Sequence, residues 1–162
     1  MPSAAGLIVA INRSFQGYEY RAGEPFEVTR GKIREFAEAL GDPNPAYRDH
    51  KAAQQLGHPD VIAPPTFPIV ITGIGDGGSP IFAPEFGMDY ERVLHGEQKF
   101  SYERPIAAGD LLSLSGRIAE IRDAGPHELI RAEIELRDTA GALVCTATNV
   151  LISRDTAVER ER

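Results

Sequence analysis

Hydrophobic and polar positions follow two different periods along this chain. From Thr29 to Leu40 the apolar residues Ile33, Phe36, Ala37 and Leu40 recur at i, i+3, i+4 and i+7, the spacing of one helix face. Thr29 is placed to cap that helix and Gly41 to stop it. A shorter helix is predicted from Asp49 as N-cap to Leu56, with Gly57 following. Later in the chain the period falls to two. The segments Glu97 to Arg104, Leu111 to Asp123 and Glu128 to Asp138 alternate apolar and polar residues, and a fourth runs from Ala142 to Ser153. Asp138-Thr-Ala-Gly141 is a hairpin signal and Asp123-Ala-Gly-Pro126 marks another turn. Helices followed by an antiparallel meander predict an α+β fold rather than a parallel βαβ design.

Two stretches between these halves are less regular. Pro64 to Ile74 carries a β-branched run, Ile69-Val-Ile-Thr72, that suits a buried strand. The same residues also suit a helix capped by Thr66 with Pro68 in its first turn, apolar almost all round. Gly73, Gly75, Gly77, Gly78 and Pro80 then interrupt regular structure, so residues 75–92 read as a long loop.

Composition limits the class of protein. At 162 residues, 42% hydrophobic and 25% charged, the chain fits one globular domain with a core of its own. The expected organisation is a mobile leader over residues 1–15, a single domain over 16–154 and a disordered tail over 155–162. With 17 Lys+Arg against 24 Asp+Glu, net charge −7, a surface devoted to phosphate backbones is disfavoured, and with it a nucleic-acid partner. The single cysteine, Cys145, makes no internal disulfide and lies in a small apolar run, which fits a buried thiol in a reducing cytoplasm. The apolar stretch Leu7 to Ile11 has no basic residue before it and so does not read as a signal peptide. No run approaches the ~20 apolar residues of a membrane span.

The most informative segment follows the first helix: Gly41-Asp-Pro-Asn-Pro-Ala-Tyr-Arg-Asp49. It resembles the G-D-x-N-P-x-H signature of MaoC-like (R)-specific enoyl-thioester hydratases and 3-hydroxyacyl-thioester dehydratases. Ile62-Ala-Pro-Pro-Thr-Phe67, His95-Gly-Glu-Gln98 with Phe100, and Arg104-Pro-Ile-Ala-Ala-Gly-Asp110 extend the resemblance to the MaoC-like dehydratase N-terminal-domain family, over roughly residues 15–153. The resemblance implies a single hot-dog fold, an antiparallel β-sheet wrapped around a central apolar α-helix. That assigns Thr66 to Ile74 as the helix.

The chemistry implied is reversible addition of water to an α,β-unsaturated acyl thioester, with no cofactor. A base removes the C2 proton, an acid assists departure of the hydroxyl, and N–H donors stabilise the enolate-like oxygen. In active members an aspartate and a histidine five residues later do the first two jobs. Asp42 occupies the aspartate position and Asn44 and Pro45 follow, but Tyr47 stands where the histidine belongs. A phenol with a pKa of about 10 is a far poorer base at neutral pH than an imidazole at about 6.5. This departure resembles the substrate-binding subunits of heterodimeric (R)-3-hydroxyacyl-ACP dehydratases, in which the partner chain carries the dyad.

The candidate catalytic residues are therefore Asp42 and His95, the latter expected to open a strand beside the pocket. Asn44, Tyr47, Pro65, Thr66, Phe67, His95 and Gly96 are the candidate substrate-binding residues. Each also has a plainer reading: Asp42 and Asn44 as turn formers, Tyr47 as a packed ring, His95 as a structural hydrogen-bonding residue, Phe67 as core. Solitary Cys145 and scattered histidines offer no metal-ligand spacing. Three functions follow. One is an acyl-thioester-binding subunit, taking acyl-CoA or acyl-ACP and pairing with a catalytic MaoC-like chain. The second is a homodimeric hydratase or thioesterase using Asp42 with or without His95. The third is a non-catalytic acyl-thioester binder, for which Arg92, Lys99 and Arg104 offer a local basic patch.

Overall fold

The computed structural model describes residues 10–74 and 78–157, apart from the side chain of Ile74. Thr29 caps helix α1 (Arg30–Leu40) by accepting the Lys32 N–H, and Gly41 ends it in the left-handed region at φ 69°. Ile33 and Ala37 are fully buried and Phe36 packs against them. Leu40, expected on the same face, is half exposed, because the helix ends before the core reaches it. Helix α2 (His50–Gln55) is capped by Asp49, whose carboxylate accepts the Lys51 N–H.

The four alternating segments form four long strands: β3 (Val93–Tyr102), β4 (Leu111–Ala124), β5 (His127–Arg137) and β6 (Leu143–Ser153). Two short strands precede them, β1 (Glu19–Arg21) and β2 (Phe26–Glu27). The sheet is antiparallel in the order β1-β4-β5-β6-β3, and β2 also pairs with β4. Alternation gives the sheet two unlike faces. Along β5 the inner residues Glu128, Ile130, Ala132, Ile134 and Leu136 are sealed, while the outer face carries Arg131, Glu133, Glu135 and Arg137. Arg117 and Arg131 both reach Glu133 at 2.8 Å, so the outer charges are tied to one another.

Helix α3 (Pro68–Ile74) packs on the inner face against β6. Phe67, at its entrance, is fully buried, with Phe36 of α1 and Phe26 of β2 set edge-on to it at 5.5 and 6.5 Å. This is a single hot-dog fold, α+β, as the resemblance implied. The helix is not enclosed on every side: Ile71 and Thr72 are buried, but Ile69 and Gly73 are exposed. The sheet of one chain covers only one side of it.

Residues 10–15, expected within the mobile leader, lie against the sheet. Ile11 is buried, and its N–H is bonded to the inward carboxylate of Glu128 at 2.8 Å. Arg13 pairs with Glu128 at 2.9 Å and with Asp123. A carboxylate sealed inside a sheet needs such partners, and this segment supplies them. At the other end Thr156 is also buried, and the Ala157 N–H bonds Pro126. Residues 1–9 and 158–162, the remainder of the expected leader and tail, lie outside the described residues. In the described part of the expected loop, residues 78–92, lie three 3-10 turns, Pro80–Phe82, Pro84–Phe86 and Tyr90–Arg92. Ile81 and Phe86 anchor that segment in the core.

Candidate functional site

The motif after α1 is held as a chain of side-chain caps. Asp42 Oδ1 accepts the Asn44 N–H at 3.0 Å, and Asn44 Oδ1 accepts the Ala46 N–H at 3.0 Å. Proline at position 45 then starts the 3-10 turn Pro45–Tyr47, which buries Tyr47. Asp-x-Asn-Pro is thus a rigid connector that inserts its last aromatic residue into the core. The Ile62 N–H bonds the Ala46 carbonyl, tying this turn to the segment that leads into α3.

Tyr47 lies near Tyr102, a residue that the sequence motifs did not include, and Tyr102 faces Cys145 across β3 and β6. The Tyr102 hydroxyl donates to the Pro65 carbonyl at 2.9 Å, fixing the turn before α3. Burial pushes the Tyr102 hydroxyl well above the usual phenol range, and the nearby Cys145 thiol and Tyr47 phenol add to this. Burial also pushes the Cys145 thiol up to about 11. Tyr102 and Cys145 therefore stay protonated at neutral pH, as hydrogen-bonding and packing groups rather than bases. Pro65 and Thr66 are exposed, and Phe67 is core.

His95 stands elsewhere. Strand β3 begins at Val93, so His95 is its third residue rather than its opening. Pairing shifts between His95 and Glu97, leaving Gly96 as a β-bulge. A Cβ on Gly96 would sit 2.9 Å from Ile152, which accounts for glycine there. The bulge also resets the alternation. His95 pairs with Leu151 and Gln98 with Asn149, so both project to the inner face despite being three residues apart. His95 and Tyr102 are nonetheless separated by about 20 Å along the strand. Within one chain Asp42, Asn44 and Tyr47 are grouped with Pro65 and Tyr102, while His95 and Gly96 occupy the far end of β3.

The parity of β3 and β6 was the signal for the missed residues. Tyr102, Phe100 and Gln98 share the inner face, opposite Cys145, Ala147 and Asn149. The expected basic patch does not assemble, because Arg92 pairs with Asp89 and Arg104 with Asp110. A groove of about 890 Å³ crosses the outer face of β1, β4 and β5, but it is lined by paired charges such as Arg117 and Glu133 and is remote from the motif. Among the described residues, no helix is long and apolar enough to cross a membrane.

A sheet wrapped on one apolar helix, with a G-D-x-N-P turn tied to the helix entrance, defines a hot-dog protein related to the MaoC-like dehydratases. More particularly, the chain belongs to the family described as FAS1-like, dehydratase domain region, which matches residues 14–147. It is 46% identical over 149 residues to a UPF0336 protein of Thermobifida fusca, covering 92% of this chain and 97% of that one. A UPF0336 protein of Streptomyces coelicolor is 49% identical over 146 residues, covering 90% and 97%. Among solved structures, a chain of the HadBC (3R-hydroxyacyl-ACP dehydratase) complex from Mycobacterium tuberculosis superposes with TM-score 0.76 at 25% identity, covering 85% of this chain and 96% of that one. A MaoC-like dehydratase gives 0.77 at 30% identity over 87% of this chain, which spans 42% of that larger protein.

Proposed function

We propose that this chain is the acyl-thioester-binding subunit of an (R)-3-hydroxyacyl-thioester dehydratase, and that a second MaoC-like hot-dog chain supplies the Asp/His dyad. The observation that carries this reading is the buried Tyr47 at the position of the motif histidine. Two further features support it. The carboxylate of Asp42 already accepts a backbone N–H in its own turn, and His95 lies at the other end of β3. The exposed side of α3 and the edge of β3, unpaired among the described residues, are the surfaces that a second hot-dog chain would cover. The HadBC structure, to which this chain is similar, is described as a 3R-hydroxyacyl-ACP dehydratase complex.

In this reading the partner's dyad moves the proton and the hydroxyl. This chain contributes the apolar wall, the fixed turn at Pro65 and the protonated Tyr102 beside it, and the ligand is an acyl-CoA or acyl-ACP thioester. Mixing the purified chain with a MaoC-like protein bearing an intact G-D-x-N-P-x-H tests the assignment. Dehydration of a 3-hydroxyacyl thioester is expected to rise at least tenfold above either chain alone. No gain with any such partner overturns it. Hydration of crotonyl-CoA by the pure chain, lost in Asp42→Asn, would instead establish the stand-alone homodimeric enzyme.

A further inference from the structure

The inner wall at the β3 edge is apolar near the motif and changes character four residues further along. Tyr102 and Phe100 on β3, with Cys145 and Ala147 on β6, make an apolar strip that begins beside Pro65. The next pair on this face is Gln98 and Asn149, whose side-chain amides are hydrogen-bonded to each other. That bond uses the Gln98 nitrogen and the Asn149 oxygen. Gln98 Oε1 is buried with no partner, and the Asn149 nitrogen has no acceptor among the described residues. On the sheet-packed side of α3 the buried Thr72 hydroxyl is likewise unpartnered.

Beyond the amide pair the wall opens. His95 is exposed, and Leu151 opposite it is half-buried although both point to the inner face. Hydrocarbon laid on Phe100 and Ala147 replaces water against apolar surface, which is favourable. Hydrocarbon laid on the amide pair is unfavourable: it takes water from the Asn149 nitrogen, which is not among the buried unpartnered atoms, and offers no hydrogen bond either to it or to the already closed-off Gln98 Oε1. The strip from Tyr102 to Gln98 is about 13 Å long.

We infer that the Gln98–Asn149 pair is a chain-length stop for the acyl group. The acyl chain enters beside Pro65 and Tyr102, runs along β3 over Phe100 and ends at the amides. This inference rests on the acyl-binding reading above and adds the residues that set its length limit.

The test is calorimetric titration with an acyl-CoA series from butyryl to hexadecanoyl, on this chain alone and on its complex with a MaoC-like partner. Affinity is expected to rise with length up to about decanoyl and then to level off. In Gln98→Leu/Asn149→Leu, which removes the amides at similar volume, hexadecanoyl-CoA should bind about tenfold more tightly. Butyryl-CoA binding should stay within about twofold. Gln98→Met alone, nearly isosteric on an edge strand, should move in the same direction and guards against misfolding of the double variant.

An unchanged length profile in both variants overturns the stop while leaving the acyl-binding reading standing. Absence of binding by the unmodified protein, alone and in complex, overturns both. Variants that weaken association with the partner and leave the length profile unaltered would mean that the wall is covered by protein instead, and would also overturn the stop.

Discussion

Strands β5 and β3, eleven and ten residues long, pair with opposite sides of β6, and their inner faces differ. All five inner residues of β5 are at most 2% exposed, and even its carboxylate is closed off by Ile11 and Arg13. On β3 the inner residues Val93, Gln98, Phe100 and Tyr102 are only half-buried and His95 is exposed. Strand β5 has a neighbour on each side, whereas among the described residues β3 is the edge of the sheet. The same alternation in sequence therefore produced one strand sealed on its inner face and one left half-open along its inner face. An edge of this length and exposure is a pairing surface unless it is protected.

Substitutions separate the two strands. Glu128→Ala should have the largest effect, about 3–4 kcal/mol lost in urea unfolding, because the buried Ile11 N–H loses its acceptor and Arg13 keeps only Asp123. A loss under ~1 kcal/mol would show that the strap of residues 10–15 contributes little. Ile134→Ala on β5 should cost about 3 kcal/mol, and Phe100→Ala on half-open β3 about half as much despite the larger side chain. Equal losses would erase the contrast between the strands. Gly96→Val is expected to cost about 1–2 kcal/mol, since its side chain must displace Ile152 and disturb the bulge that aims His95 inward.

The outer face of β5 should show the smallest effect, and a pH dependence. Hydrogen bonding to Arg117, with Arg131 nearby, holds the Glu133 carboxyl below its ordinary range. A depressed folded pKa contributes stability above the unfolded value of about 4.3, and this contribution is lost as the pH falls through the lower folded value. The melting temperature of the natural protein minus that of Glu133→Gln should therefore narrow on acidification from pH 6 to pH 3. The gap should correspond to less than about 1 kcal/mol and shrink in salt. A gap that widens on acidification would reverse the sign of the assignment.

Much of the fold was legible because its signals are local. Thr29 and Gly41 delimit α1 by capping chemistry, and alternation located the four long strands to within a few residues. The three residues of β1 and two of β2 are too short to show a period. The burial of Ile11 depends on Glu128, 117 positions away in sequence, and no local pattern reports it. The motif residues Asp42, Asn44 and Tyr47 were legible as a unit, and the turn holds them together. His95 was legible as a residue but not as a position. The bulge at Gly96, which determines where it points, is a feature of the pairing with β6, more than fifty residues away in sequence. The exposure of Ile69 and Gly73 on α3 is equally invisible to a local pattern, since it depends on how far the sheet reaches around the helix.

The central claim is that the reacting groups belong to a partner while this chain provides the wall. It is tested most directly by activity of the mixed complex with substitutions placed on one chain at a time. Asp42→Asn keeps an oxygen acceptor for the Asn44 N–H, so the turn survives. The account predicts that the complex carrying this substitution retains at least half of its dehydratase activity, and that replacing the motif histidine of the partner abolishes it. Loss of activity with Asp42→Asn, together with survival when the partner's histidine is replaced, would contradict the account and return the chemistry to this chain.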